Sequence, residues 1–166
     1  MLDLVNTLIQ KYHKKGLLID TNILLLYFVG LYDTNLILNF KRTRQFAIED
    51  YGTLEKIINR FNKIVCTPNI LTEINSFCNQ INGKIKQDFF EKFRLTLSLI
   101  DEKYIPSKEV AQEDIFNKFG LTDTGIMNII KNNYLLLTDD FRLSQYLTSI
   151  GTDVINFNHI RPLGWK

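Results

Sequence analysis

Gly16-Leu17-Leu18-Ile19-Asp20-Thr21-Asn22-Ile23-Leu24-Leu25 reads as a short, wholly apolar strand that ends in a carboxylate and an amide where a helix begins. A strand that is apolar on every residue has both faces covered, which is the condition of a parallel sheet wrapped by helices. Such sheets place their chemistry outside the carboxyl ends of the strands. The same order of apolar run, acid and helix recurs in Tyr134-Leu135-Leu136-Leu137-Thr138-Asp139-Asp140. Two strand-end acids in one chain point to a metal site.

Upstream of the first strand, Leu2, Val5, Leu8, Ile9 and Tyr12 recur at three-and-four spacing, so residues 1–15 are expected to form an N-terminal helical extension stopped by Gly16. Downstream, the pattern predicts helices over 22–32 and 51–62 and a second buried strand at Ile64, Val65 and Cys66. Pro68 then suits the first turn of a helix whose apolar stripe is Ile70, Leu71, Ile74, Phe77 and Cys78. Residues 84–119 read as helical, with Phe89, Phe90, Phe93, Leu97 and Ile100 on one stripe and a break at Ile105-Pro106. After Gly120 a helix opens near Asp123 and runs to about 132, Leu135, Leu136 and Leu137 make a third strand, 140–150 is helical, and Val154-Ile155 forms a last strand. The expected fold class is therefore α/β, a three-layer α/β/α sandwich around a central, mainly parallel sheet of four to five short strands. No repeat, low-complexity segment or linker divides the 166 residues, so one domain is expected, with a C-terminal tail over 156–166 that carries Trp165.

Composition bounds the function classes. With 45% hydrophobic and 23% charged residues the chain can bury a real core and is not a disordered segment. A net charge of +2 permits an anionic partner without demanding one. Cys66 and Cys78 have apolar neighbours and neither zinc spacing nor His companions, so they read as reduced, buried thiols. The start Met1-Leu2-Asp3-Leu4 has no cationic region, and no apolar run approaches the roughly 18 residues of a membrane span. A cytoplasmic protein with no membrane partner is the expectation.

Mg²⁺ and Mn²⁺ take hard oxygen ligands, usually a few carboxylates with water and substrate phosphate in the remaining positions. In a parallel sheet the carboxyl ends of the strands lie side by side, so Asp20 can meet Asp139 and Asp140, while Glu73 and Asp123, placed in first turns of flanking helices, can complete the set. Like charges gathered in a poorly solvated cleft repel one another unless a cation binds. Each acid also has a plainer reading. Asp20, Asp123 and Asp140 each stand where a helix N-cap is wanted, and Glu73 is suited to a solvated position that favours the helix dipole. It is the joint pattern that favours a site.

The residues resemble the PIN-domain ribonucleases, a family that includes the nucleases of bacterial toxin-antitoxin pairs and several RNA-processing enzymes. The resemblance covers the chain from Leu17 to Phe157 and rests on four motifs: Leu-Leu-Ile-Asp20-Thr21-Asn22, Thr-Pro-Asn-Ile-Leu-Thr-Glu73-Ile, Leu-Thr-Asp123-Thr-Gly-Ile, and Leu-Leu-Thr138-Asp139-Asp140-Phe. It implies a ribonuclease in which Asp20, Glu73, Asp123 and an acid of the last motif hold one or two Mg²⁺ or Mn²⁺ ions. Asp140, two residues after Thr138, matches the family position, with Asp139 as the alternative. Asn22 would orient Asp20 or a metal-bound water, and Thr138 would hydrogen-bond a ligating carboxylate. The implied reaction is hydrolysis of an RNA phosphodiester by a metal-activated water. The implied partners are RNA and, in toxin relatives, an antitoxin or a second copy docked near the Phe89, Phe90 and Phe93 helix.

Two rival classes remain. A haloacid-dehalogenase-type phosphatase also uses strand-end acids, but its chemistry needs a second acid two residues after the nucleophile, and this chain has Asn22 there. A catalytically silent PIN-like RNA-binding or scaffold module would keep the acids without cutting. No Ser-His or Cys-His constellation competes, since His13 lies on the first helix and His159 in the tail, both expected at the surface. Lys41, Arg42 and Arg44, with Lys56, Arg60 and Lys63 beyond them, are the candidates for holding phosphates, and a solvated polar loop is the alternative. Phe40 and Phe46 flank that cluster and are expected in the core.

Overall fold

The structure is a computed structural model that describes residues 2–131 and 133–161. Its centre is a five-stranded, all-parallel sheet of β1 (Leu17–Ile19), β2 (Ile64–Cys66), β3 (Ile100–Glu102), β4 (Leu135–Thr138) and β5 (Val154–Asn156), in the order β3-β2-β1-β4-β5. Helices flank it as the outer layers of an α/β/α sandwich: α1 (Leu2–Tyr12), α2 (Thr21–Tyr32), α3 (Thr34–Asn39), α4 (Ile48–Ile58), α5 (Pro68–Cys78), α6 (Lys84–Leu97), α7 (Ser107–Val110), α8 (Phe116–Ile130), α9 (Phe141–Ser149) and α10 (Phe157–Ile160). The chain runs outward from β1 to β2 and β3 on one side, then returns to lay β4 and β5 on the other. The strand order therefore reverses between β1 and β4, and the crevice beyond their carboxyl ends is where open parallel sheets bind ligands.

Local sequence explains these elements. Every residue of β1 and β4 is buried, as the unbroken apolar runs require. α2 is apolar nearly all round because it is enclosed, packing on α3, α4, α5, α6 and β4. Gly30 lets the Tyr51 ring of α4 lie against its backbone, where a Cβ would come within 2.1 Å of that ring. Pro68 opens α5, and the Thr67 hydroxyl accepts the Ile70 N–H. Gly120, with φ 75° and ψ −171°, breaks α8 just before Asp123, a conformation that favours glycine. The β1–β4 register sets Ile19 against Leu137, which brings the next residues, Asp20 and Thr138, side by side.

Several sequence expectations need correction. The stretch 84–119 is not continuously helical: α6 ends at Leu97, and Ile100–Glu102 is an edge strand paired with β2 through Ile64↔Ile100. α4 begins at Ile48, where the Asp50 carboxylate accepts the Ala47 N–H, and ends at Ile58. α3 and α10 were not expected. The supposed tail begins as structure, since Asn156 closes β5 and Phe157 and Ile160 are buried. Residues 162–166, Trp165 among them, lie outside the described residues, as does Met1. Cys66 and Cys78 are buried free thiols, both pushed up to about 12 by burial. Among the described residues no helix is long and apolar enough to cross a membrane.

Candidate functional site

Asp20 leaves β1 and caps α2. Its Oδ1 accepts the Thr21 N–H at 2.7 Å and its Oδ2 accepts the Thr138 hydroxyl at 2.6 Å. Only 8% of Asp20 is exposed, and burial pushes its carboxyl up to about 6, helped by the charges of Asp139 and Asp140 and opposed by those two hydrogen bonds. The Thr138 hydroxyl also accepts the Asp140 N–H at 3.0 Å. One side chain thus ties the end of β1 to the start of α9. Asp20 is a helix cap by its geometry, and it also lines a cleft.

Glu73 lies in the second turn of α5, not the first, and is half-buried. Its Oε2 accepts the Thr21 hydroxyl at 2.8 Å and its Oε1 accepts the Thr122 hydroxyl at 2.6 Å. Asp123 follows the Gly120 break. Burial pushes its carboxyl up to about 7, with the charges of Asp20, Asp140 and Glu73 acting the same way and Arg142 acting against them. Asp140 is exposed and caps α9 by accepting the Leu143 N–H at 2.9 Å. These four acids line a single cleft of about 170 Å³ together with Thr21, Asn22, Phe77 and Thr122.

Asp139 faces elsewhere. Both of its oxygens accept from Asn22 Nδ2 at 3.3 Å, Oδ2 also accepts from Gln45 Nε2 at 3.5 Å, and burial raises its carboxyl. Asn22 therefore holds Asp139, where the sequence led us to expect it to orient Asp20 or a metal-bound water. Thr138 does hydrogen-bond an acid of the cleft, Asp20.

The donor set is all oxygen, which suits a hard divalent ion, and two of the acids, Asp20 and Asp123, have raised proton affinities, first from burial and then from neighbouring negative charge. A cation would reverse that penalty. Among the described residues no group of three or more His, Cys, Asp or Glu side chains is arranged so that it could hold a metal ion as it stands. The acids share the cleft, with Asp20, Glu73 and Asp140 held by hydroxyls or backbone amides.

Lys41, Arg42 and Arg44 are exposed on the turn between α3 and α4, and Thr43 between them is fully buried, its hydroxyl donating to the Ile37 carbonyl at 2.9 Å. The Arg42 guanidinium lies 4.2 Å from the centroid of the Phe77 ring, which lines the acid cleft. That stacking sets a cation at the rim. Phe40 and Phe46 are core residues, as expected. Lys63 does not extend this patch: it pairs with Asp101 at 3.0 Å and, with Arg60, comes before the amino end of β2. His159 is exposed and His13 is half-buried, its Nδ1 2.8 Å from the Gln10 carbonyl.

Five contributors escaped the sequence reading. Thr21 and Thr122 stand next to Asp20 and Asp123, so a hydroxyl beside each acid was a usable signal. Arg142, which lowers the proton affinity of Asp123, also donates to the Lys118 carbonyl at 2.7 Å. Gln45 and Arg161 gave no signal. Arg161 pairs with Asp50 at 2.6 Å, donates to the Gln45 carbonyl at 2.9 Å and lies over the Phe46 ring, so it pins the basic turn from the far end of the chain. No protein-family model matches the chain, and no curated protein matches it in sequence.

Proposed function

We propose that this protein is a metal-dependent endoribonuclease of PIN-like type. The observation that carries the reading is the shared cleft: Asp20, Glu73, Asp123 and Asp140, from four separate elements, line one opening beside the switch point of a parallel sheet, with Arg42 fixed on its rim. Folding alone gives no reason to gather four acids: at Asp123 the charges of Asp20, Asp140 and Glu73 add to burial in raising the proton affinity of the carboxyl.

Asp20, Glu73, Asp123 and Asp140 would hold Mg²⁺ or Mn²⁺. A bound ion would supply an acidified water for attack on a phosphodiester and offset charge at the phosphorus. Thr138 fixes the Asp20 carboxylate, and the amide ends of α2 and α9 hold Asp20 and Asp140 in place. Arg42 attracts the backbone phosphates without reading the bases, and Lys41 and Arg44 extend that attraction along the turn. An RNA enzyme of this kind would work in the cytoplasm, and the resemblance adds an antitoxin or a second copy of the chain as partner.

The test is cleavage of a labelled RNA by wild type and Glu73→Gln, each in Mn²⁺ and in EDTA. Cutting by wild type in Mn²⁺ alone supports the reading. Cutting in EDTA, or equal cutting by Glu73→Gln, would sink it. RNA binding with no cutting under any condition would leave the silent module in its place.

A further inference from the structure

Glu73 differs from the acids around it. Asp20 and Asp140 stand at helix starts, where backbone N–H groups hold their carboxylates. Glu73 lies in the second turn of α5, on a longer side chain, and shares the cleft with the negative charge of Asp123. Left alone, such a carboxylate swings toward water. Here both of its oxygens accept threonine hydroxyls, Oε2 from Thr21 at 2.8 Å and Oε1 from Thr122 at 2.6 Å.

We propose that Thr21 and Thr122 form a two-hydroxyl clamp that presets Glu73 for a divalent cation, which makes both threonines positioning residues of the cleft. The inference rests on the metal-dependent reading above. Thr21 is the first residue of α2, and Thr122 follows the Gly120 break in α8, so the clamp reaches Glu73 from two different helices. A β-branched side chain has few χ1 choices, so each hydroxyl is delivered from a stiff support. Hydroxyl to carboxylate is a charge-assisted bond, and an ionised carboxylate has about four lone-pair sites, so each oxygen keeps one for a cation. Ordering Glu73 before the ion arrives removes part of the entropy that binding would otherwise cost.

The experiment is Mn²⁺ titration followed by the electron paramagnetic resonance of free Mn²⁺, with thermal melts in EDTA on the same samples. Wild type, Thr122→Val, Thr122→Ser, Glu73→Gln and the Glu73→Gln/Thr122→Val double variant are compared. Thr122→Val is expected to raise the Mn²⁺ Kd about tenfold or more. Thr122→Ser, which keeps the hydroxyl, should bind like wild type. In the Glu73→Gln background the valine should add no further loss, and that comparison keeps the test informative if the single valine variant folds poorly. Wild type that binds Mn²⁺ while Thr122→Val binds equally well would overturn the clamp and leave the metal reading standing. Equal losses in the serine and valine variants would also overturn it. Wild type that binds no Mn²⁺ would overturn both.

Discussion

Asp123→Asn should stabilise the metal-free protein at alkaline pH. The Asp123 carboxyl is pushed up from 3.8 to about 7, first by burial and then by Asp20, Asp140 and Glu73. Between those two pH values the folded protein keeps a proton that the unfolded chain has released. The contribution of Asp123 to stability is therefore most favourable below about pH 4, falls as pH rises through the window, and carries its full penalty above about pH 7. A shift of about three units corresponds to roughly 4 kcal/mol at about 1.4 kcal/mol per unit, and water reaching this half-buried group reduces it to about 2–3 kcal/mol. Asparagine has nearly the same shape and no charge. In thermal melts with EDTA at pH 8 the variant should unfold about 4–12 °C above wild type, given about 2–4 °C per kcal/mol for a chain of this size. At pH 4 the two should coincide. An Asn variant no more stable than wild type at pH 8 would refute the view that the cleft stores unfavourable charge.

Other perturbations separate the remaining parts. Thr124→Val should raise stability by about 1 kcal/mol in urea denaturation, because the Thr124 hydroxyl is fully buried without a hydrogen-bond partner among the described residues. Its usual acceptor, the carbonyl four residues back, belongs to non-helical Gly120. Arg161→Ala should cost about 2 kcal/mol in the same assay by leaving the Asp50 carboxylate, 6% exposed, without its cation, a loss discounted for the partly exposed arginine. Arg42→Ala should weaken RNA binding in EDTA almost equally for all sequences and flatten the slope of log K against log salt by about 0.7, the value for one phosphate contact on a single strand. An unchanged slope would remove Arg42 from the binding surface.

The fold was legible where strands were covered on both faces. β1 and β4 are apolar on every residue but the terminal Thr138, so their boundaries could be read almost to the residue. β3 was missed because it is an edge strand whose pattern, Ile-Asp-Glu, has one apolar residue, and because Ile100 falls on the helical spacing of Phe93 and Leu97. Strand ends carried the readable part of the site, since Asp20 follows its apolar run directly and Asp140 comes just after Leu135-Leu136-Leu137-Thr138-Asp139. The contacts that orient these acids join residues far apart in sequence, as in Thr138 with Asp20 and Thr122 with Glu73, and leave no periodicity to detect. Glu73 was recognised as an acid of the pattern but placed one turn too early.

The central claim is that four carboxylates of one cleft hold a divalent ion, and the most direct measurement is the anomalous scattering of crystals grown in saturating Mn²⁺. A peak within about 2.5 Å of an Asp20 carboxylate oxygen and of at least one oxygen from Glu73, Asp123 or Asp140 is expected, as hard-cation coordination requires. Crystals whose Mn²⁺ peaks all lie outside this cleft, or that show none, would contradict it.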